Sequence, residues 1–142
     1  MNSASQDACL AANDGEKACT ASLAQLRTAL AASWTAQTAS PLVAWTPHNP
    51  SSGQCAVSAL VLQDYCGGKI CRCVVVGTPH YFNRIDDQVV DSTAAQFGTT
   101  AIDYDASTVR SRQRILRCAD TCRRYELLKG RVERFLVELD GG

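Results

Sequence analysis

Residues 53–93 read GQCAVSALVLQDYCGGKICRCVVVGTPHYFNRIDDQVVDST. The first third is a helix pattern. Ala56, Val57, Ala59, Leu60, Val61 and Leu62 fall on all sides, as in a helix buried in a core, and Gly67-Gly68 is a helix C-terminal cap. Ser51 or Ser52 is in position to cap its start. Ile70 to Val76 is rich in β-branched residues and reads as a strand. Gly77-Thr78-Pro79 reads as a turn, and Tyr81 to Ile85 as a second strand. Asp86-Asp87-Gln88 is a tight connection, and Val89 to Asp91 a third strand. The stretch therefore predicts a buried helix followed directly by an antiparallel meander.

Outward from this stretch the pattern is helical at both ends. Leu23, Leu26 and Leu30 recur at three- and four-residue spacing among alanines, which favour helix. Thr20 or Ser22 is the expected cap, and Ser33-Trp34 the end. Pro41, Pro47, Pro50 and Gly53 make residues 35–53 a loop, long enough to suggest a functional role. Residues 98–118 show no clear period. From about Thr121 to Leu139, Tyr125, Leu128, Val132, Phe135, Leu136 and Leu139 line one helical face. Gly130 weakens that helix by about 1 kcal/mol relative to alanine. Residues 1–18 are small and polar and read as a mobile tail. Residues 19–142 read as a single α+β domain, with N-terminal helices packed on an antiparallel sheet and a C-terminal helix.

The chain has 142 residues, 46% hydrophobic and 20% charged, a globular composition with enough length for one core. Lysine plus arginine and aspartate plus glutamate balance at 14 each. No overall basic field exists to hold a nucleic acid. A local arginine cluster does exist at Arg110, Arg112, Arg114, Arg117, Arg123 and Arg124. It reads as a solvated surface, with an acidic-partner or phosphate site as the sharper alternative. No run of about 20 apolar residues predicts a membrane span, and Met1 to Ala21 lacks the pattern of a signal peptide. A cytoplasmic location is the default expectation. Of the eight cysteines, several occupy apolar positions, and reduced thiols are expected in that compartment.

Chemistry gathers around Cys55. It lies at the first turn of the predicted helix, where unpaired N–H groups and the positive dipole end favour a thiolate. The same N–H groups are suited to stabilising an oxyanion. On its own, Cys55 reads equally as a small buried residue. His80 shifts the balance, because its ordinary pKa lies near neutrality and its strand follows the helix. With Asp86 and Asp87 centring the turn, Phe82 faces Asp91. His80 is then a diagonal neighbour of Asp91 on the same face. Nucleophile, base and orienter thus follow in the order Cys55, His80, Asp91. The alternatives are a surface turn residue at His80 and a cap for Ser92 to Phe97 at Asp91. Gln54 and Asn49 are candidates for an oxyanion hole, Trp45 for a substrate wall, and His48 is expected in solvent.

The runs Gly53-Gln54-Cys55-Ala56-Val57, Gln63-Asp64-Tyr65-Cys66-Gly67-Gly68, His80-Tyr81-Phe82-Asn83-Arg84 and Val90-Asp91-Ser92-Thr93 resemble the YunG-like family of mainly bacterial proteins. Arg124-Tyr125-Glu126-Leu127-Leu128 with Arg131-Val132 resembles the C-terminal signature of that family. His48 departs from the glutamate often found there. The resemblance covers nearly everything after the tail and implies a shared fold and site rather than a reaction. The Cys, His, Asp order is also similar to transglutaminase-like and papain-like enzymes, which implies a core of that type and a thioester intermediate. Ala56 stands where papain-like proteases often carry tryptophan.

The leading expectation is a thiol hydrolase or acyltransferase acting on an amide, isopeptide or ester of a small molecule or peptide. It needs no cofactor or metal. A non-catalytic ligand-binding domain with the same fold is the main alternative. A zinc module using Cys71, Cys73, Cys118 and Cys122 is a further one. A redox role is weaker, since no Cys-x-x-Cys pair is present.

Overall fold

Helix α1 (Leu23–Ser33) begins at Ser22, whose hydroxyl accepts from the Gln25 N–H while the Gln25 side chain accepts from the Ser22 N–H. This reciprocal cap satisfies two of the N–H groups that a helix start leaves open. The computed structural model describes residues 21–141; the expected tail at 1–18 and the alternative cap Thr20 lie outside these. Leu26, Ala29 and Leu30 are fully buried, and α1 packs on the C-terminal helix.

The second helix, α2 (Cys55–Cys66), is apolar on nearly every side, and Val57 through Gln63 are all buried. Gly67 and Gly68 end it with φ of 70° and 74°. A side chain at Gly68 would lie 2.4 Å from the Arg84 carbonyl oxygen, so this turn brings the chain straight back against the sheet. Cys66 is disulfide-bonded, which departs from the expectation of reduced thiols throughout.

Strands β1 (Lys69–Val75), β2 (Thr78–Ile85) and β3 (Gln88–Val90) form the expected meander, and β4 (Thr108–Val109) adds to the other side of β1. All pairs are antiparallel, in the order β3-β2-β1-β4. Asp86 and Asp87 have φ of 52° and 63°, the left-handed pair that a two-residue hairpin demands. The first hairpin differs from expectation. Its turn is Val76-Gly77, with φ of 48° and 76°, while Thr78 and Pro79 pair with Val75 and Val74. A positive φ at a β-branched residue is costly, and the local Thr-Pro signal concealed this turn. β4 falls in the stretch without a clear period, being too short to show alternation.

The two faces of the sheet are covered differently. Ile70, Ile85 and Val90 join the main core with α1, α2 and the C-terminal helix. The Asn83 amide donates to the Ala59 carbonyl at 2.9 Å and pins α2 to that face. Cys71, Cys73, Val75 and Phe82 form a second cluster on the other face, covered by Phe97, Ile102 and Tyr104. Phe97 ends a short 3-10 turn (Ala94–Phe97).

A short helix, α3 (Arg112–Ile115), and a long one, α4 (Ala119–Gly141), complete the chain. Arg124 and Arg131 of α4 reach back to the carbonyl oxygens of Thr38 and Ser33 at 3.2 and 3.0 Å. They hold the beginning of the long loop that leads to Cys55. The architecture is thus α+β, with helices against one antiparallel sheet. No helix among the described residues is long and apolar enough to cross a membrane.

Candidate functional site

Gly53 sets the approach to Cys55. Its φ is 73°, and an added Cβ would meet Val43 Cγ2 at 2.5 Å and the Ser40 N–H nitrogen at 3.0 Å. Its carbonyl accepts from Ser40 N at 2.9 Å. Gly53→Ala combines a left-handed φ with a clash, and is expected to destabilise the protein by about 1–3 kcal/mol. A urea titration reads this directly, and an unchanged midpoint would mean the loop relaxes freely. No side chain caps α2: Gln54 takes the N-cap position without a side-chain bond. Neither Ser51 nor Ser52 caps it, and the Ser51 hydroxyl is buried without a partner. The N–H groups of the first turn around Cys55 are therefore not claimed by a cap, as an oxyanion site requires.

His80 is fully buried. Its Nε2 donates to Asp91 Oδ2 at 2.7 Å, and the Phe97 ring meets it edge-on with centroids 4.9 Å apart. β3 ends opposite Asn83, so the His80 end of β2 has no outer strand. There the first turn of α2 comes alongside: Cys55, Ala56, Thr78, Pro79 and Tyr81 line one cavity. His80 Nδ1 is buried with no hydrogen-bond partner, and Cys55 is the titratable group besides Asp91 that acts on the ring. Burial pushes the imidazole pKa down. The hydrogen bond to Asp91, the nearness of Cys55 and attraction to both outweigh this and raise it from 6.5 to about 9.

Asp91 is held from three directions. Tyr104 donates its hydroxyl to Oδ2 at 2.8 Å, and the Thr93 N–H donates to Oδ1 at 3.2 Å. It therefore binds the imidazole and closes a turn onto Thr93, while the N-cap of the 3-10 segment is Thr93 itself, with no side-chain cap bond. Burial, then the hydrogen bond and the charge of Asp91, raise the Tyr104 phenol above its ordinary pKa. Tyr104 went unforeseen because it lies in the stretch without a period.

The three auxiliary candidates lie beside the cavity rather than on its wall. Gln54 is fully buried and its Nε2 donates to the Thr35 carbonyl at 3.0 Å. Asn49 donates to the Gln96 carbonyl at 3.1 Å, and the Trp45 indole donates to the Pro50 carbonyl at 2.9 Å. None of the three lines the cavity at Cys55; all brace the loop leading to it, where freed carbonyls need donors. Gln96 is on the cavity wall instead, accepting from the Gly53 N–H at 3.4 Å and donating to Thr93 Oγ1 at 3.2 Å. His48 is exposed, as expected.

The cavity measures about 400 Å³, the size of a small-molecule site. Leu42, Val43, Pro79, Tyr81 and Ile115 give it an apolar wall, and Arg110, Arg114 and Arg124 a cationic one. The zinc arrangement does not form. Cys71 and Cys73 lie in the cluster beside Phe82, Cys122 lies in the main core, and Cys118 is exposed. Among the described residues no three His, Cys, Asp or Glu side chains gather where they could hold a metal ion.

The family model described as "YunG protein" matches residues 22–137, a span that includes Cys55, His80 and Asp91. A Bacillus subtilis (strain 168) protein, "Uncharacterized protein YunG", is 47% identical over 53 residues, which are 37% of this chain and 46% of that relative. The chain thus aligns with a little under half of that relative's length. No solved structure matches the chain. Since the family model spans most of the molecule from α1 into α4, the chain belongs to the YunG protein family.

Proposed function

We propose that the protein is a cysteine hydrolase or acyltransferase of papain-like or transglutaminase-like design, with Cys55 as nucleophile, His80 as base and Asp91 as orienter. The observation that carries this reading is the buried His80, bonded through one ring nitrogen to Asp91 and approached by Cys55 at a cavity. Cys55 Sγ attacks the carbonyl carbon of an amide, isopeptide or ester, and the carbonyl oxygen takes the negative charge beside the N–H groups of the α2 start. The bond to the leaving group breaks, and the leaving amine or alcohol departs with the proton from His80. Water or an amine then gives its proton to His80 and attacks the thioester, releasing the Cys55 thiolate. Asp91 keeps the imidazole in one tautomer and orientation throughout.

Protonated His80 is the natural counter-ion of a Cys55 thiolate, and its raised pKa, about 9, preserves that cation through neutral pH. Iodoacetamide alkylation mapped by mass spectrometry tests the pair. Cys55 is expected to react readily at pH 6–7, and His80→Ala to slow it by about tenfold or more at that pH. A Cys55 that behaves as an ordinary thiol, or is indifferent to His80→Ala, would leave the non-catalytic ligand-binding reading in its place.

A further inference from the structure

The catalytic reading leaves the arginines of the cavity without a task. The wall includes Arg110, Arg114 and Arg124 but no aspartate or glutamate. Arg124 is accounted for. It is buried, its Nε donates to Asp120 Oδ2 at 2.8 Å, and its other nitrogens reach Thr38 and Thr121. Arg110 and Arg114 differ. Their backbone N–H groups bond to Ile70 and to Ser111, but neither guanidinium makes an ion pair with a described acid. Arg110 is half-buried. It directly follows β4, and Arg114 is in α3, so two elements bring separate cations to the rim of one cavity. Arg114 is exposed. An unneutralised cation at a cavity wall attracts an anion, the more so where it is partly desolvated as Arg110 is, and a guanidinium matches a carboxylate in geometry as well as charge. The lining at Leu42, Val43, Pro79 and Tyr81 is apolar, and Leu42 is 93% exposed.

We infer that the cleft takes an acyl substrate bearing a carboxylate, which Arg110 and Arg114 hold while the apolar wall receives the substrate body and Cys55 meets the carbonyl. This rests on the catalytic reading of Cys55. It makes two members of the late arginine cluster a binding device rather than a solvated surface. Arg112, between them, is buried in the core and serves a different purpose.

Two alkylating agents that differ mainly in a carboxylate test this without turnover. The rate constants of iodoacetate and iodoacetamide at Cys55 are measured by mapped labelling, in wild type, Arg110→Gln and Arg114→Gln. The iodoacetate-to-iodoacetamide ratio in wild type should exceed that of mercaptoethanol and fall with added salt. Each arginine substitution should lower it by about threefold or more. The His80 cation contributes to the ratio in all three proteins, so the fall between them carries the test. A second arm asks which compounds slow iodoacetamide labelling of Cys55. N-acetylleucine carries a chain-end carboxylate, N-acetylglutamic acid α-amide a side-chain one, and N-acetylleucinamide none. Protection by either acid beyond the neutral amide supports the inference and identifies the source of the carboxylate. A ratio unchanged by both substitutions, or protection no better than the neutral amide gives, overturns it while Cys55 remains reactive. A Cys55 inert to both reagents overturns the catalytic reading, and this inference with it.

Discussion

Asp91→Ala should destabilise the protein by about 3 kcal/mol and slow the proposed reaction at Cys55 about 100-fold or more. The substitution removes the one carboxylate that serves three donors: His80 Nε2, the Tyr104 hydroxyl and the Thr93 N–H. His80 and Asp91 side chains are 0% and 5% exposed, so water does not readily replace the lost partner. The stranded donors carry the larger share of the penalty. Asp91→Asn separates positioning from packing. It retains an acceptor and most of the shape, so it should fold nearly normally while still slowing the reaction. Full activity in Asp91→Asn would remove the carboxylate from the mechanism.

The same pair sets a pH dependence. His80 has an ordinary pKa of 6.5, which is raised to about 9 in the fold. Below pH 6.5 folded and unfolded states both hold the proton, and the contribution of the pair to stability is fully present. Between 6.5 and 9 the unfolded state releases the proton while the folded state keeps it, so stability falls as pH rises. Urea midpoints across this range should decline in wild type, and the slope should flatten in Asp91→Ala.

The second large effect concerns Arg112, which is 1% exposed. Its Nη1 donates to Gln63 Oε1 at 2.7 Å and its Nη2 to the Tyr125 hydroxyl at 3.2 Å; Nη2 also pairs with Asp64 Oδ1 at 3.1 Å. Tyr125 in turn donates to Asp64 Oδ2. Arg112 thus joins α3, α2 and α4 through one polar network. Arg112→Ala removes one partner of a buried charge pair and leaves a cavity, with an expected loss of about 3–5 kcal/mol by urea or thermal unfolding. Combining Arg112→Met with Asp64→Leu removes both charges and should recover much of that loss. A single Arg112→Ala midpoint within error of wild type would show that the network contributes nothing.

Much of the fold was legible from local rules because those rules act over a few residues. The Leu26 and Leu30 spacing, the apolar run from Ala56 to Leu62 ended by Gly67-Gly68, and the Asp86-Asp87 turn each carry their own signal. That turn determines the pairing of Asn83 with Val90, and with it the position of His80 diagonal to Asp91. The pairing of His80 with Asp91 was therefore already a matter of strand register. The second strand starts at Thr78, ahead of the Tyr81 at which its sequence pattern begins. Pro79 looks like a breaker in sequence, yet at that end β2 has β1 for a neighbour and no strand on its other side, where a missing N–H is tolerated.

The order of elements and the spacing of Cys55, His80 and Asp91 follow from local patterns, because helix period, strand alternation and turn chemistry are short-range. Packing between distant segments settles that Tyr104 completes the grip on Asp91, that Gln54, Asn49 and Trp45 brace a loop, and that neighbouring arginines part ways. Arg112 turns into the core, while Arg110 and Arg114 border the cavity. Each of these depends on contacts between segments distant in the chain, and burial of a charged group is settled by the partner it meets there rather than by its neighbours in sequence.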